Sequence, residues 1–152
     1  MSHIDQDIWG LPDPVSQAGF YDSVPTKRLL AFVVDLIIIV VLSALVVPLT
    51  AFAGIFFFPF IVAVVSFAYR VVTIANGSAT LGMRLMGIEF RTSKGERFDL
   101  GYALLHTLMF TAWGLMFIIQ VASVILMLTT ARKQGLTDLI LGTAAINRPS
   151  RF

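Results

Sequence analysis

The chain has 152 residues, of which 57% are hydrophobic and only 13% are charged, and its formal net charge is +2 at pH 7. Such an apolar composition predicts a membrane protein of one domain, with no room for a separate soluble catalytic domain. Cysteine is absent, which excludes disulfides, thiolate nucleophiles and cysteine-ligated metals.

Residues 1–25 are predicted to form an irregular N-terminal arm. They contain four aspartates, no Lys or Arg and no apolar core, so they do not resemble a secretory signal. Prolines and glycines interrupt any helix here. Trp9, Phe20 and Tyr21 could anchor the arm at the lipid interface or on a partner protein. The alternative is a mobile terminus whose aromatic residues have no role.

Two long apolar stretches, residues 29–47 and 51–72, predict a transmembrane helical hairpin. At 1.5 Å per residue the first stretch comes to about 28 Å, near the hydrocarbon thickness of a bilayer. Pro48 ends it, and Gly54 and Pro59 are expected to bend or shorten the first half of the second stretch.

The basic residues around this hairpin predict its orientation. Lys27 and Arg28 precede the first stretch and Arg70 lies near the end of the second, whereas the turn between the stretches has no Lys or Arg. By the positive-inside rule, the N-terminus and the loop after Arg70 are expected in the cytoplasm.

A polar segment follows the hairpin, and its alternating pattern predicts a short cytoplasmic β-hairpin. Ile88 and Phe90 alternate with polar residues, "TSKG" supplies turn residues, and Phe98 and Leu100 alternate with polar residues again. The piece "GSATLGMR" has the glycine spacing of a phosphate-binding loop but lacks its lysine. No nucleotide cofactor is therefore expected.

The third apolar stretch, residues 101–128, has two possible arrangements. A single tilted crossing could absorb its length, but it would place the basic C-terminal residues outside. The alternative turns back at residues 111–114 and makes a re-entrant pair of legs, each of about 20 Å. We favour the pair, because all eleven Lys and Arg residues and both termini then face the cytoplasm. His106, without a second ligand nearby, receives no metal or other role.

Three pieces of the sequence resemble the RDD family of membrane proteins, named for one arginine and two aspartates. They are "KRLLAFVVDLII", "GSATLGMRLMGIEFRTSKGE" and "RKQGLTDLILGT". The resemblance covers residues 24–147 and implies an RDD-type membrane domain at 26–147, followed by a tail at 148–152. It also implies a bacterial cytoplasmic membrane, although the family has no agreed general function and some members have been linked to sodium or proton antiport.

The resemblance assigns the motif arginine to Arg28 and the motif aspartates to Asp35 and Asp138. The family usually has a lysine where this chain has Met83. Arg28 and Asp35 share a helix face but lie about 10 Å apart along the axis, too far for easy direct contact. Asp138, or a backbone amide of the folded-back tail, is therefore a candidate to bridge them in a polar network.

The position of Asp35 is unfavourable, because inserting a carboxylate at the centre of a membrane helix costs about 2.5–3.5 kcal/mol on insertion scales. One explanation is structural: Asp35 helps to fix the first helix against the loop and the tail. The other makes Asp35 a proton or sodium carrier in an oligomer. We favour the structural role, because three short membrane segments lack the repeats or discontinuous helices that usually form a transport path.

These patterns together predict an all-α membrane protein that is not an enzyme, since no nucleophile–base pair, metal-ligand spacing or phosphate loop is found. We expect a small accessory or assembly partner of a larger membrane complex, with no metal, cofactor or nucleic acid. Its partners would be the lipid bilayer and another membrane protein or further copies of itself. The alternative function is a proton- or sodium-coupled antiporter that works as an oligomer through Asp35.

Overall fold

The computed structural model describes residues 10–148, so Trp9, one of the three predicted arm anchors, lies outside the described residues. Within that range the chain is mainly helical. In order, the elements are α1 (Val24–Leu49), α2 (Phe58–Ala75), α3 (Leu81–Met86), β1 (Ile88–Arg91), α4 (Leu100–Gly114), α5 (Phe117–Thr129), α6 (Leu136–Leu141) and β2 (Ala144–Asn147). Short 3₁₀ turns at Ala18–Tyr21 and Ala53–Ile55 precede α1 and α2.

Helices α1 and α2 form a hairpin, and both are long and apolar enough to cross a membrane. The 26 residues of α1 reach about 39 Å and the 18 residues of α2 about 27 Å. Helix α2 starts at Phe58, later than the predicted residue 51, because the preceding residues form turns. Pro59 then occupies the first turn, where a missing backbone N–H leaves no hydrogen bond broken.

The third apolar stretch is divided into two helices rather than one. Helix α4 ends at Gly114, and the extended backbone of Met116 interrupts the helical path before α5 begins. His106 on α4 contacts Asp138, and Ser123 on α5 accepts a hydrogen bond from the backbone N–H of Leu136, so both helices reach the same segment. The chain therefore folds back at this break, just after the predicted turn at residues 111–114, and the two-helix division agrees with the alternative of two legs.

The predicted strand pairing is wrong. Strand β1 pairs antiparallel with β2 near the C-terminus, with Phe90 opposite Ala145, and not with residues 97–100. Phe98 is instead buried in the core, where its backbone N–H donates to the Ser78 hydroxyl, and Asp99 caps α4. Asp99 is a strong helix-capping residue, which favours a helix start over a strand at this point.

The N-terminal arm packs on the sheet of its own chain. Tyr21 is 2% exposed, packs in an apolar cluster with Ile146, and donates its hydroxyl to the Pro12 carbonyl at 2.7 Å. The Asn147 amide donates to backbone carbonyls of the arm. Phe20 packs against the same cluster. These two aromatic residues thus pack within the protein itself, whereas the sequence left open an anchor at the lipid interface or on a partner and a terminus whose aromatic residues have no role.

Candidate functional site

Asp35 lies on α1 and is buried, with three hydrogen-bond donors directed at its carboxylate. The Tyr69 hydroxyl donates to Oδ1 at 2.6 Å, and the Gly82 backbone N–H donates to the same oxygen at 2.9 Å. The Thr80 hydroxyl donates to Oδ2 at 2.6 Å. All three donors are neutral groups, so the carboxylate is satisfied without a directly bonded cation.

The N-terminus of α3 provides two of these donors because it packs directly on α1. A Cβ atom added at Gly82 would lie 2.3 Å from the Ala31 carbonyl oxygen and 2.9 Å from Asp35 Oδ1. Only glycine allows the backbone to come this close. Thr80 caps the same helix by accepting from the Met83 N–H, so the Thr80 hydroxyl both caps α3 and donates to Asp35.

Met83 replaces the lysine that the resemblance leads us to expect, and its surroundings suit an apolar side chain. It is 5% exposed and belongs to the main hydrophobic cluster, together with Ile74, Ile88 and Phe90. A charged ammonium group at this place would require a buried partner. The methionine fits the apolar packing around it.

Asp138 lies on α6 and is fully buried, and its partners include a cation. Arg28 Nη1 donates to Oδ2 at 2.6 Å, and His106 Nε2 lies 3.1 Å from Oδ1. The Thr143 hydroxyl donates to Oδ1 at 2.9 Å, and the Gly135 backbone N–H approaches Oδ2 at 3.3 Å. Asp138 therefore joins α1 and α4 to the first turn of its own helix.

Burial and the neighbouring charge act in opposite directions on the pKa of the Asp138 carboxyl. Burial acts to raise the pKa, but the Arg28 guanidinium and the hydrogen bonds from His106 and Arg28 hold it well below its usual range. The side chain is consequently an ionised carboxylate at neutral pH, with Arg28 as its counterion.

The predicted network of three motif residues is divided into two sites. Arg28 and Asp138 form the ion pair that the network required, and the Arg28 guanidinium also lies 5.5 Å from the centre of the Phe90 ring. Asp35 takes its hydrogen bonds from other residues on α2 and α3. Asp138 therefore does not bridge Arg28 to Asp35.

Arg70 is a buried cation whose charge acts on Asp35. From the sequence it served only to predict the orientation of the chain. It is 7% exposed, lies next to Tyr69 on α2 and interacts electrostatically with Asp35. Its guanidinium stacks on Phe110, with Cζ 3.9 Å from the ring centre. A sequence signal was present, because Arg70 is the single charged residue of the stretch 51–72.

His106 was also missed, since no partner for it could be recognised in the sequence. It is 1% exposed and packs against the rings of Phe90 and Phe98 while contacting Asp138. Its partner lies 32 residues away on a different helix, so only the folded chain reveals the pair.

A third buried carboxylate, Glu89, lies on β1, where the sequence shows it only as a polar residue that alternates with Ile88 and Phe90. It is fully buried and hydrogen-bonds to Arg91. Arg148 Nε and Arg97 Nη2 lie 3.3 and 3.4 Å from its Oε2. The unexpected pairing with β2 brings Arg148 to this carboxylate.

A small cavity of about 20 Å³ borders the Asp138 site, which is room for about one water molecule. Its lining includes polar side chains from four helices, namely Arg28, His106, Gln120, Ser123, Thr137 and Asp138. The space is too small for an organic cofactor. Within residues 10–148, no three His, Asp or Glu side chains are grouped so that they could hold a metal ion.

The structure is mainly α-helical, with two helices long and apolar enough to cross a membrane, a small sheet and two aspartates buried between the helices. The sequence model of the RDD family matches residues 23–142, and the chain belongs to the RDD family. No curated protein and no solved structure gave a significant match to the chain.

Proposed function

We propose that this RDD-family protein is a non-catalytic membrane protein that serves as an accessory or assembly partner of a larger membrane complex. The observation that carries the proposal is that both motif aspartates are fully hydrogen-bonded by groups of the chain itself. Every carboxylate oxygen of Asp35 and Asp138 accepts at least one hydrogen bond from the chain itself. The two carboxylates thereby hold neighbouring helices together.

A carrier aspartate has a different requirement, because it must release its partners during turnover and reach water or an ion from both sides. Asp35 would lose three hydrogen bonds in doing so. Such a loss is expensive for a buried charged group. The internal bonding therefore favours a structural role for Asp35 over ion exchange.

The surface available to a partner includes strongly exposed apolar side chains. Phe56, beside the turn between α1 and α2, is 84% exposed, and Ile118, at the start of α5, is 83% exposed. Both positions project apolar side chains where a neighbouring membrane protein or lipid can pack. We place the protein in a bacterial cytoplasmic membrane with both termini in the cytoplasm, on the charge pattern and the family membership.

The test for a partner uses a photo-crosslinking amino acid placed at Phe56 or at Ile118 in the protein at its native expression level. We expect a discrete adduct with another membrane protein from at least one position, and the same assembly as a band larger than the 16.7 kDa chain on native gels. Tyr21, which is buried, is the matched control position and should give no external adduct. Migration as a monomer, or adducts with further copies of this chain alone, would contradict the accessory role.

The test against transport uses proteoliposomes with a sodium or proton gradient. The wild-type protein and Asp35→Asn should both leave the internal pH unchanged. Robust exchange by the wild type that Asp35→Asn abolishes in a correctly folded protein would overturn the proposal in favour of an antiporter.

A further inference from the structure

Arg70 differs from the other buried charged residues because its guanidinium has no hydrogen-bond acceptor as a partner in the described part of the chain. Within residues 10–148 the guanidinium of Arg70 makes no hydrogen bond, and its Nε is buried without a partner. The guanidinium makes a cation–π contact with the ring of Phe110. By comparison, Arg28 donates to Asp138 at 2.6 Å. Arg70 therefore presents donor groups that the protein does not use.

A guanidinium carries five N–H donors, and leaving a buried one such as the Nε–H of Arg70 unused is unfavourable. Asp35 balances part of the charge through space, but its own oxygens already accept from Tyr69, Thr80 and Gly82. Arginines inside membrane segments normally have an anion or a carbonyl group as a partner. An anionic oxygen from outside the chain would supply the acceptor that the described part of the chain does not provide.

The place of Arg70 indicates the source of that oxygen. It lies five residues before the end of α2, about 7.5 Å along the axis, at the end of the helix that we expect to face the cytoplasm. Phe110 on α4 covers one face of the guanidinium, so the group is held between two helices. Basic pockets between membrane helices on the cytoplasmic side are typical sites for anionic lipid headgroups.

We propose that Arg70 and Phe110 form a binding site for the phosphate group of an anionic phospholipid of the cytoplasmic leaflet. The stacked ring fixes the plane of the guanidinium, and its edge donates to a phosphate oxygen, the geometry for which arginine is suited. The small exposure of Arg70, 7%, admits one flexible headgroup oxygen more readily than the close approach of another helix. The site does not depend on the accessory role proposed above.

The experiment measures lipid retention by native mass spectrometry of the full chain, purified in mild detergent and supplied with phosphatidylglycerol. The variant Arg70→Gln should retain about tenfold less phosphatidylglycerol than the wild type, the change expected for loss of a charge-assisted hydrogen bond. The matched control is Arg97→Gln, which removes a cation from a half-exposed site and should leave retention unchanged. Circular dichroism and size-exclusion chromatography establish that each variant is folded.

Two further variants keep the test decisive if Arg70→Gln does not fold. Arg70→Lys keeps the charge but loses the planar fork, and Phe110→Leu keeps the arginine but frees its orientation. Each should lower retention by about threefold, an intermediate loss on the same affinity scale.

Three results would overturn the proposal. The first is equal retention of phosphatidylglycerol by the wild type and the Arg70 and Phe110 variants. The second is equal thermal stabilisation of the wild type by phosphatidylcholine, or by inorganic phosphate alone, which would show a site without lipid selectivity or one for a soluble anion. The third is a crosslink from the Arg70 region to an acidic segment of another protein, which would make the anion a carboxylate.

Discussion

The two motif aspartates show two ways to keep a carboxylate inside a membrane protein. Asp35 receives only neutral donors in hydrogen-bond contact, from Tyr69, Thr80 and Gly82. Asp138 instead has the Arg28 cation in direct contact. The first solution depends on the close approach of two helices, and the second depends on a charge. The difference means that changes of packing should damage the Asp35 site, and changes of charge should damage the Asp138 site.

The largest effect is expected when the charge of the Asp138 site is removed. Arg28→Ala leaves a fully buried carboxylate without its counterion and should lower the free energy of unfolding by about 3–5 kcal/mol. The measurement is the melting temperature in detergent together with the amount of intact protein in the membrane. The control Arg97→Ala removes a half-exposed arginine 3.4 Å from Glu89, which keeps other arginine partners, and should cost less than about 1 kcal/mol. Equal losses for the two variants would contradict a special role for Arg28.

A steric change should damage the Asp35 site. Gly82→Ala introduces a methyl group 2.3 Å from the Ala31 carbonyl, so α3 must move away from α1, and we expect a loss of about 2–3 kcal/mol. The control Gly114→Ala adds a methyl group in open space on α4, which should leave stability unchanged or raise it by a few tenths of a kcal/mol. If both variants melted at the wild-type temperature, the close packing at Gly82 would be refuted.

Removal of one neutral donor should have a smaller effect. Tyr69→Phe deletes the hydroxyl that donates to Asp35 at 2.6 Å and should cost about 1.5–2 kcal/mol, the range for hydrogen bonds to charged groups. Thr129→Val serves as the control, because the Thr129 hydroxyl bonds only to its own exposed helix. We expect the melting temperature to fall for Tyr69→Phe alone.

The smallest effect concerns pH. Because the folded pKa of Asp138 lies below its ordinary value of 3.8, its ion pair stabilises the fold above that pH and is lost as the pH falls further. The free energy of unfolding of the wild type should therefore decline below about pH 4, by up to about 1.4 kcal/mol per pH unit for this group, and the melting temperature should fall with it. Asp138→Asn should be less stable than the wild type at pH 7 and show a shallower decline. An identical slope in both proteins would show that Asp138 does not contribute to the acid sensitivity.

The sequence predicted the helical hairpin well, because long apolar runs and the charges beside them directly reflect the bilayer as a solvent. A turn back at residues 111–114 was one of two alternatives, since neither apolar length nor charge alone decides between them, and the break lies slightly later, at Leu115 and Met116. The strand pairing was wrong, because period-two alternation indicates a strand but does not identify its partner.

The site was predicted in its residues but only partly in its contacts. Helical spacing correctly indicated that Arg28 and Asp35 do not touch easily, and the pairing of Arg28 with Asp138 follows from the fold. Tyr69, Thr80 and His106 could not be assigned from the sequence, because they reach the aspartates from 34, 45 and 32 residues away. Single hydroxyl or imidazole groups carry no sequence pattern that reveals such distant partners.

A pair of double-mutant cycles tests most directly whether the two aspartates belong to separate sites. One cycle combines Arg28→Ala with Asp138→Asn, and the other combines Arg28→Ala with Asp35→Asn, with melting in detergent as the measurement. We predict that Arg28 and Asp138 couple by about 1–3 kcal/mol, so that the double variant is less destabilised than the sum of the single variants, while Arg28 and Asp35 are additive within about 0.5 kcal/mol. Strong coupling of Arg28 to Asp35, with additive losses for Arg28 and Asp138, would contradict the division into two sites.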